Sequence, residues 1–513
     1  MILEKKKNVR SGVIWGFISQ LITIILPFII RSLIIRRLGA EYAGLSSLFT
    51  SVLQVLSLAE LGFGSAMVYA MYKPVAEDDY DMLGRILSYY RKIYLVIGLV
   101  VLVVGSALFP FLGFLINGDV PSDVNIYILY AIYLFNTVIS YQFLSYRASL
   151  LSAYQREDLN SLAKTISNIA MYVLQLVFIL TLKNYYLYVV WFPFATLLFN
   201  IIRYFIAKKK YKHITPHGEI STEQKKEIKK NVYALFFHSI GSVVLNSIDN
   251  IVISVMLGLV VLASYNNYYI ILSSISGFMI VIFNTMCAGI GNSIILKSKE
   301  ENYKEFFSIF AFNGVLVSFC TLCFFSEYQN FIALWVGEEL VLPFVTMILF
   351  CVYFFIHIIR RTVLTYRDAY GLWKETRFQP IVSALFNLGL NIALVYLIGL
   401  NGILISTILA MTLIDVPWET YVLFKKMGKG VKKYIYYNAV FIIATALACT
   451  GLYFINSLID INYWVNVILY LLTAVGVFIV IMIPLYFLIP EIKFYIIKIK
   501  RRIFRKGATD GEK

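Results

Sequence analysis

The chain has 513 residues, 60% of them hydrophobic and only 14% charged, with a mean hydropathy of +0.77 and a formal net charge of +16. Soluble domains carry about 25% charged residues and cannot hide this much apolar surface, so a soluble enzyme or binding module is excluded. Nucleic-acid binding, the other reading of a basic chain, is set aside because the positive charge is distributed as membrane topology requires.

Apolar stretches of roughly 20 residues, the length that spans a bilayer core, recur along the chain. A first series runs near 11–35, 41–70, 84–116, 124–152, 159–182 and 185–206. A second runs near 232–257, 262–294, 305–326, 341–366, 378–399 and 402–424, and two more stretches lie near 434–456 and 463–489. This predicts an all-α polytopic membrane protein with about fourteen transmembrane helices. A β-barrel would instead show short segments of alternating polarity. The first stretch is too long for a signal peptide and lacks its small-residue cleavage site, so it is read as the first helix. With the N-terminus inside, most of the 45 Lys and Arg residues fall in cytoplasmic segments. These include Lys5–Lys6–Lys7, Lys208–Lys209–Lys210, Lys425 to Lys433 and Lys493 to Lys506, whereas the outer loops hold Arg36, Arg37 and Lys183. One missed or added helix would invert this bias, so both termini are expected in the cytoplasm.

The chain also repeats itself. Leu38–Gly39 and Leu257–Gly258 close the first helix of each six-helix series, and Gly118–Asp119 and Gly337–Glu338 match at the same offset. Ala153–Tyr154 pairs with Ala369–Tyr370, and Gln175 with Asn391, at a slightly shorter one. The expected organisation is an N-terminal six-helix bundle (1–206), a basic cytoplasmic linker (207–230) with His213, Pro216, His217 and Gly218, and a second six-helix bundle (231–424). An extra helix pair (425–490) and a basic tail (491–513), suited to an anionic lipid surface, complete it. An even number of helices per half makes the repeats parallel, and proteins built this way place binding sites between the halves.

Polar groups at membrane depth are the informative residues, because a charge near a helix centre costs about 2.5–3.5 kcal/mol to insert. Arg147 lies in the fourth helix, and His357, Arg360 and Arg361 lie in its repeat mate, where Arg360 and Arg367 share a face two turns apart. Convergence of these cations on an interface would suit phosphate groups, which the planar guanidinium binds bidentately. Snorkelling to headgroups is the alternative. Arg31, near the outer end of the first helix, is read either as a partner of Asp249, at the matching level of the seventh, or as an outer-rim anchor. Asp415 and Glu419 stand at i,i+4 in the twelfth helix, either as a proton or cation site or as partners of a neighbouring Arg. Glu60, before the Gly62-x-Gly64 pair, is a further coupling or ion-pairing candidate. Cys287, Cys320, Cys323, Cys351 and Cys449 all fall in apolar helices and read as small buried hydrophobes. No nucleotide fingerprint, P-loop, zinc motif or hydrolytic triad is present, so no metal or cofactor and no enzymatic activity are expected.

With these residues in view, the chain resembles the polysaccharide-transport branch of the multidrug/oligosaccharidyl-lipid/polysaccharide exporter superfamily, and within it the Wzx-type repeat-unit flippases. The resemblance rests on Arg37–Leu38–Gly39–Ala40–Glu41–Tyr42–Ala43–Gly44, on Glu60–Leu61–Gly62, and on Asp249–Asn250 leading to Leu257–Gly258. Asn250 stands where the family often has a basic residue. The resemblance implies a bacterial inner-membrane flippase. It would move undecaprenyl-pyrophosphate-linked oligosaccharides to the outer leaflet, with membrane lipids and the polysaccharide polymerase machinery as partners. The rivals are an ion-coupled drug or metabolite exporter of the same superfamily, for which twelve helices are expected, and a polysaccharide polymerase, which would need a large outer loop.

Overall fold

A computed structural model of the chain describes residues 2–60, 62–118, 120–142, 144–459 and 462–493, and these are helical with no strand among them. Leu61 and Asp119 of the sequence motifs, and the expected basic tail beyond Lys493, lie outside the described residues. By internal contacts the chain divides into two compact units, Met1–Ala263 and Ser264–Lys513.

The first unit contains α1 (Ile2–Arg37), α2 (Ala40–Leu56), α3 (Phe63–Ala76), α4 (Tyr80–Ala107), α5 (Ile126–Gln142), α6 (Ala148–Ala153), α7 (Glu157–Leu182), α8 (Tyr185–Lys210) and α9 (Thr222–Leu257). Helix α1 runs along α7, α8 packs on α5 and α7, and α9 lies along α2. The α2–α9 contact is polar. Asn250 Nδ2 donates to Ser51 Oγ at 2.8 Å, and Ser247 Oγ donates to Gln54 Oε1 at 3.3 Å. Such bonds hold helices together in lipid, where apolar contact alone gives little preference. The turns after α1 and α9 use Gly39 and Gly258 at φ +135° and +88°, a conformation that glycine reaches without a Cβ penalty.

The 207–230 segment is more ordered than a free linker. Helix α8 continues through the lysine run to Lys210, and α9 starts at Thr222 behind a Ser221–Gln224 capping box. The residues between them strap across the start of α4. His217 N–H donates to Gly84 O at 3.3 Å, His217 Nε2 lies 2.8 Å from Asp81 Oδ1, and Glu219 bridges Lys92 and Lys225 at 2.7 and 3.2 Å.

A long helix, α10 (Leu259–Leu296), leads into the second unit. There follow α11 (Lys299–Val336), α12 (Phe344–Ile359), α13 (Arg361–Ala369), α14 (Gln379–Ile398), α15 (Leu400–Ala410), α16 (Val416–Met427), α17 (Lys432–Asn456) and α18 (Tyr463–Leu488). Helix α11 is the hub, in contact with α12, α17 and α18. The apolar windows of α11 and of the α12–α13 span are 61% buried, against 11% for α18, which identifies the last helix as a lipid-facing one. Its exposed Ile468, Leu472, Ile479, Ile483 and Phe487 supply that surface.

Among the described residues, eleven helices are long and apolar enough to cross a membrane. The pair Ile126–Gln142 and Ser145–Ala153, bent by 49°, makes a twelfth if taken as one broken span. Of the other two expected spans, one is interrupted and one is part of a continuous helix. Stretch 41–70 consists of α2, a 3-10 turn Ser57–Glu60 and α3, pieces of only 17 and 14 residues. Stretch 232–257 lies within the unbroken helix α9 (Thr222–Leu257), of which Ser247–Leu257 is the apolar part among the described residues.

Candidate functional site

Two polar clusters sit within the helices. In the second unit, Arg360 occupies the junction of α12 and α13. Its Nη1 lies 2.7 Å from Asp415 Oδ2, and its Nη2 lies 2.8 Å from Glu419 Oε1. Arg367, two turns along, approaches the same Glu419 oxygen at 3.9 Å and pairs with Asp368 at 2.8 Å. Gln379 Nε2 donates to the second Asp415 oxygen, and Trp373 Nε1 donates to Asp368 at 2.9 Å. The local backbone explains the convergence. Pro417 has no N–H to give Leu413 and its ring crowds that carbonyl. The helix widens here into a π turn, Met411–Asp415, between α15 and α16, of the kind that re-aims side chains at polar sites. Both Asp415 and Glu419 are thereby turned onto Arg360.

The charges within this cluster nearly cancel, since two cations face three carboxylates. Both terminal nitrogens of Arg360 are engaged by protein acids, while its Nε and Glu419 Oε2 are buried without a hydrogen bond among the described residues. Arg361, one residue on, points elsewhere: its Nη2 donates to Asn284 Oδ1 at 2.9 Å, and it has no carboxylate partner among the described residues. His357, one turn earlier, stacks on Tyr353 with ring centroids 5.8 Å apart.

In the first unit a cavity of about 740 Å³ is lined by Glu60, Tyr90, Tyr94, Tyr141, Ser149 and Arg203, among others. Glu60 stands at the end of the 3-10 turn, and its Oε1 accepts from Tyr94 O–H at 2.6 Å. Arg203 lies 3.8 Å over the Phe199 ring and donates to Asn200 Oδ1 at 2.6 Å. Two carboxylates (Glu60 and Glu157), one guanidinium and four phenols (Tyr72, Tyr90, Tyr94 and Tyr141) make a polar chamber with both charge signs.

Arg147 is buried beside this cavity but does not line it. It donates to Ile214 O of the strap at 3.1 Å and sits 5.4 Å over the Tyr204 ring. Arg31 donates to Ala263 O at 3.0 Å. Asp249 is buried on α9. Among the described residues no group of three or more His, Cys, Asp or Glu is spaced to hold a metal ion.

Sequence reasoning missed Arg203, Gln379 and the tyrosines. Arg203 lies close to Lys208–Lys210 and reads as one more cytoplasmic-edge cation. Gln379 stands 36 residues from Asp415, a pairing that no helical spacing announces.

Fold and polar helices together define a multi-pass membrane protein of transporter architecture. Residues 9–287, which hold nearly all of the first unit and most of α10, match the family model described as "Polysaccharide biosynthesis protein", and the chain belongs to that family. Among solved structures it is similar to the lipid II flippase MurJ in an inward closed conformation. The identity is 15% and the TM-score 0.65, over 93% of this chain and 98% of that one. It is also similar to an inward-facing multidrug resistance MATE family transporter of the MOP superfamily (15% identity, TM-score 0.58, 81% and 98% covered) and to a MATE transporter of Vibrio cholerae (14%, 0.52, 82% and 97%). The fold is thus that of the multidrug/oligosaccharidyl-lipid/polysaccharide exporter superfamily. No curated protein matches the sequence.

Proposed function

We propose that this chain is a flippase that moves undecaprenyl-pyrophosphate-linked oligosaccharide repeat units from the inner to the outer leaflet of a bacterial cell membrane, for surface polysaccharide assembly. The observation that carries the reading is the extent of the likeness to the lipid II flippase. Coverage of 93% cannot be reached without part of the segment after Met427, whereas the 81–82% of the MATE transporters can. At least part of the segment that holds α17 and α18 therefore aligns with a lipid flippase fold, which supports the reading.

Membership of a polysaccharide biosynthesis family supports the glycan part of the substrate. Of Arg360, Arg361 and Arg367, Arg361 is the one that makes no salt bridge among the described residues, and we assign it to the pyrophosphate. Arg31, Arg147 and His357 complete the proposed substrate-binding set. Glu60, Asp249, Asp415 and Glu419 are the proposed coupling or ion-pairing residues. Transport proceeds by alternating access of the two six-helix bundles. An apolar groove of about 430 Å³ between α11, α12 and α17, lined by Phe325, Phe344, Ile348, Val352, Ile442 and Phe454, takes the polyprenyl tail, and the polysaccharide polymerase receives the product.

The test is transfer of a fluorescent polyprenyl-pyrophosphate oligosaccharide across vesicles holding the purified protein. Wild type should flip it, and Arg361→Ala should cut the rate by on the order of a hundredfold, the worth of a charge-assisted bidentate contact of about 3 kcal/mol. No flipping by the wild type, or undiminished flipping by the variant at equal protein level, would count against the reading. The MATE likeness favours one rival, a soluble-drug exporter, and drug transport without lipid flipping would select it.

A further inference from the structure

Helix α11 carries an acid that no cluster above uses. Glu327 lies nine residues before the end of the helix at Val336, about 14 Å along its axis. Trp335, a residue type that favours the membrane surface, stands two turns nearer that end. Both Glu327 carboxyl oxygens are buried and make no hydrogen bond among the described residues, and no described residue pairs with it as a salt bridge.

The surroundings offer no counter-charge. One turn inward, Cys323 joins the apolar cluster of Leu322, Ala448, Leu452, Ala474, Val477 and Phe478. The helices packed on α11 carry few charges. Helix α12, α17 beyond Lys433 and α18 contain no Asp, Glu, Lys or Arg at all. Their titratable groups are His357, Cys351, Cys449 and tyrosines including Tyr453 and Tyr470, and α10 adds Tyr268, which is engaged with Gln329. Glu338 and Glu339, in the turn after α11, are further acids. The neighbouring polar side chains satisfy one another: Asn456 Nδ2 donates to Ser326 Oγ, and Thr473 Oγ1 donates to Asn456 Oδ1, both at 2.8 Å. An ionised carboxylate without a partner costs several kcal/mol in such a medium. The neutral acid costs far less, and intramembrane acids of this kind mark proton pathways.

We propose that Glu327 is a membrane-embedded proton-binding site in the second unit, carrying its proton in this conformation at neutral pH. The site depends on no assumption about the transported substrate, so it stands or falls separately from the flippase reading. The experiment is infrared spectroscopy of the full-length protein in lipid nanodiscs, wild type against Glu327→Gln, which preserves shape and removes the titratable group. The wild type should show a protonated-carboxyl stretching band at neutral pH that is lost in the variant and that fades in the wild type on raising the pH. A membrane-soluble carbodiimide, which attacks protonated carboxyls, should yield an adduct at Glu327 by mass spectrometry, in falling yield as pH rises. A band unchanged in Glu327→Gln, or no adduct at Glu327 in the folded protein, overturns the proposal.

Discussion

Arg360 is held by two carboxylates, and that fixes what its removal does. Taking away the guanidinium leaves Asp415 and Glu419 buried, four residues apart on one face and mutually repelling. Breaking such a pair from one side typically costs on the order of 3–5 kcal/mol. Arg360→Ala should therefore lower the thermal unfolding midpoint in detergent markedly. Adding Asp415→Asn and Glu419→Gln to that variant should recover much of the loss. Equal midpoints for wild type and Arg360→Ala would show that the triad contributes nothing to stability. This also bears on transport: a loss of export in Arg360→Ala reports misfolding as readily as substrate binding, whereas Arg361→Ala separates the two. In the sequence, Asp415 and Glu419 were legible as a pair because four residues make one turn, and Arg360 with Arg367 because seven make two. Which acid meets which base was not legible, since that contact joins α12–α13 to α15–α16 across 55 and 59 residues.

At the scale of elements, the strap between α8 and α9 is pH-sensitive through His217. Its imidazole is held above the usual histidine range, first by the hydrogen bond to Asp81 and next by that to Thr215 O, against a small opposing effect of burial. A raised value means the protonated ring favours the docked strap. The contribution is complete below the ordinary histidine range and is lost as pH rises through the raised value. Limited proteolysis within 211–221 should accordingly be slow at mildly acidic pH and faster at alkaline pH, and His217→Ala should be fast at both. Cleavage indifferent to pH in the wild type would remove His217 as the cause. Gly84 belongs to the same contact, for a Cβ there would clash with the His217 ring. Helix breaks were the least legible elements. Hydropathy reads 41–70 and 124–152 as continuous, yet both are broken, the second at Leu144 with φ +61°. In the repeat mate of 124–152, α12 gives way to α13 at Arg360. Each fourth helix of the repeat is thus interrupted beside an arginine. Hydropathy also ended the ninth span at 326, where α11 in fact runs on to Val336, and so it placed Glu327 in a loop.

For the whole molecule, composition and span length were sufficient to establish a helical membrane protein, because lipid leaves backbone polar groups no partner but the helix itself. The glycan-lipid reading makes a demand on the molecule as a unit: tail and headgroup must be held at once, one by the α11–α12–α17 groove and the other by cations. Ala446 lines that groove and is exposed in it. Ala446→Trp should fill it while leaving unfolding unchanged. The flipping rate of the long-chain substrate should fall roughly tenfold, the value of about two buried methylene groups, and a short-chain analogue should be much less affected. An equal effect on both chain lengths would place the tail elsewhere.

The π turn at Met411–Asp415 amounts to one residue of slack wound into an otherwise regular rod. Everything beyond it is indexed about 100° from where an unbroken α-helix would carry it. Glu419 therefore meets Arg360 only because that slack is present. Removing a single residue between Met411 and Asp415 would take up that slack and turn Glu419 about 100° away from its arginine. Length, in this segment, is a charge-placing device: the chain can substitute residues there more safely than it can lose one.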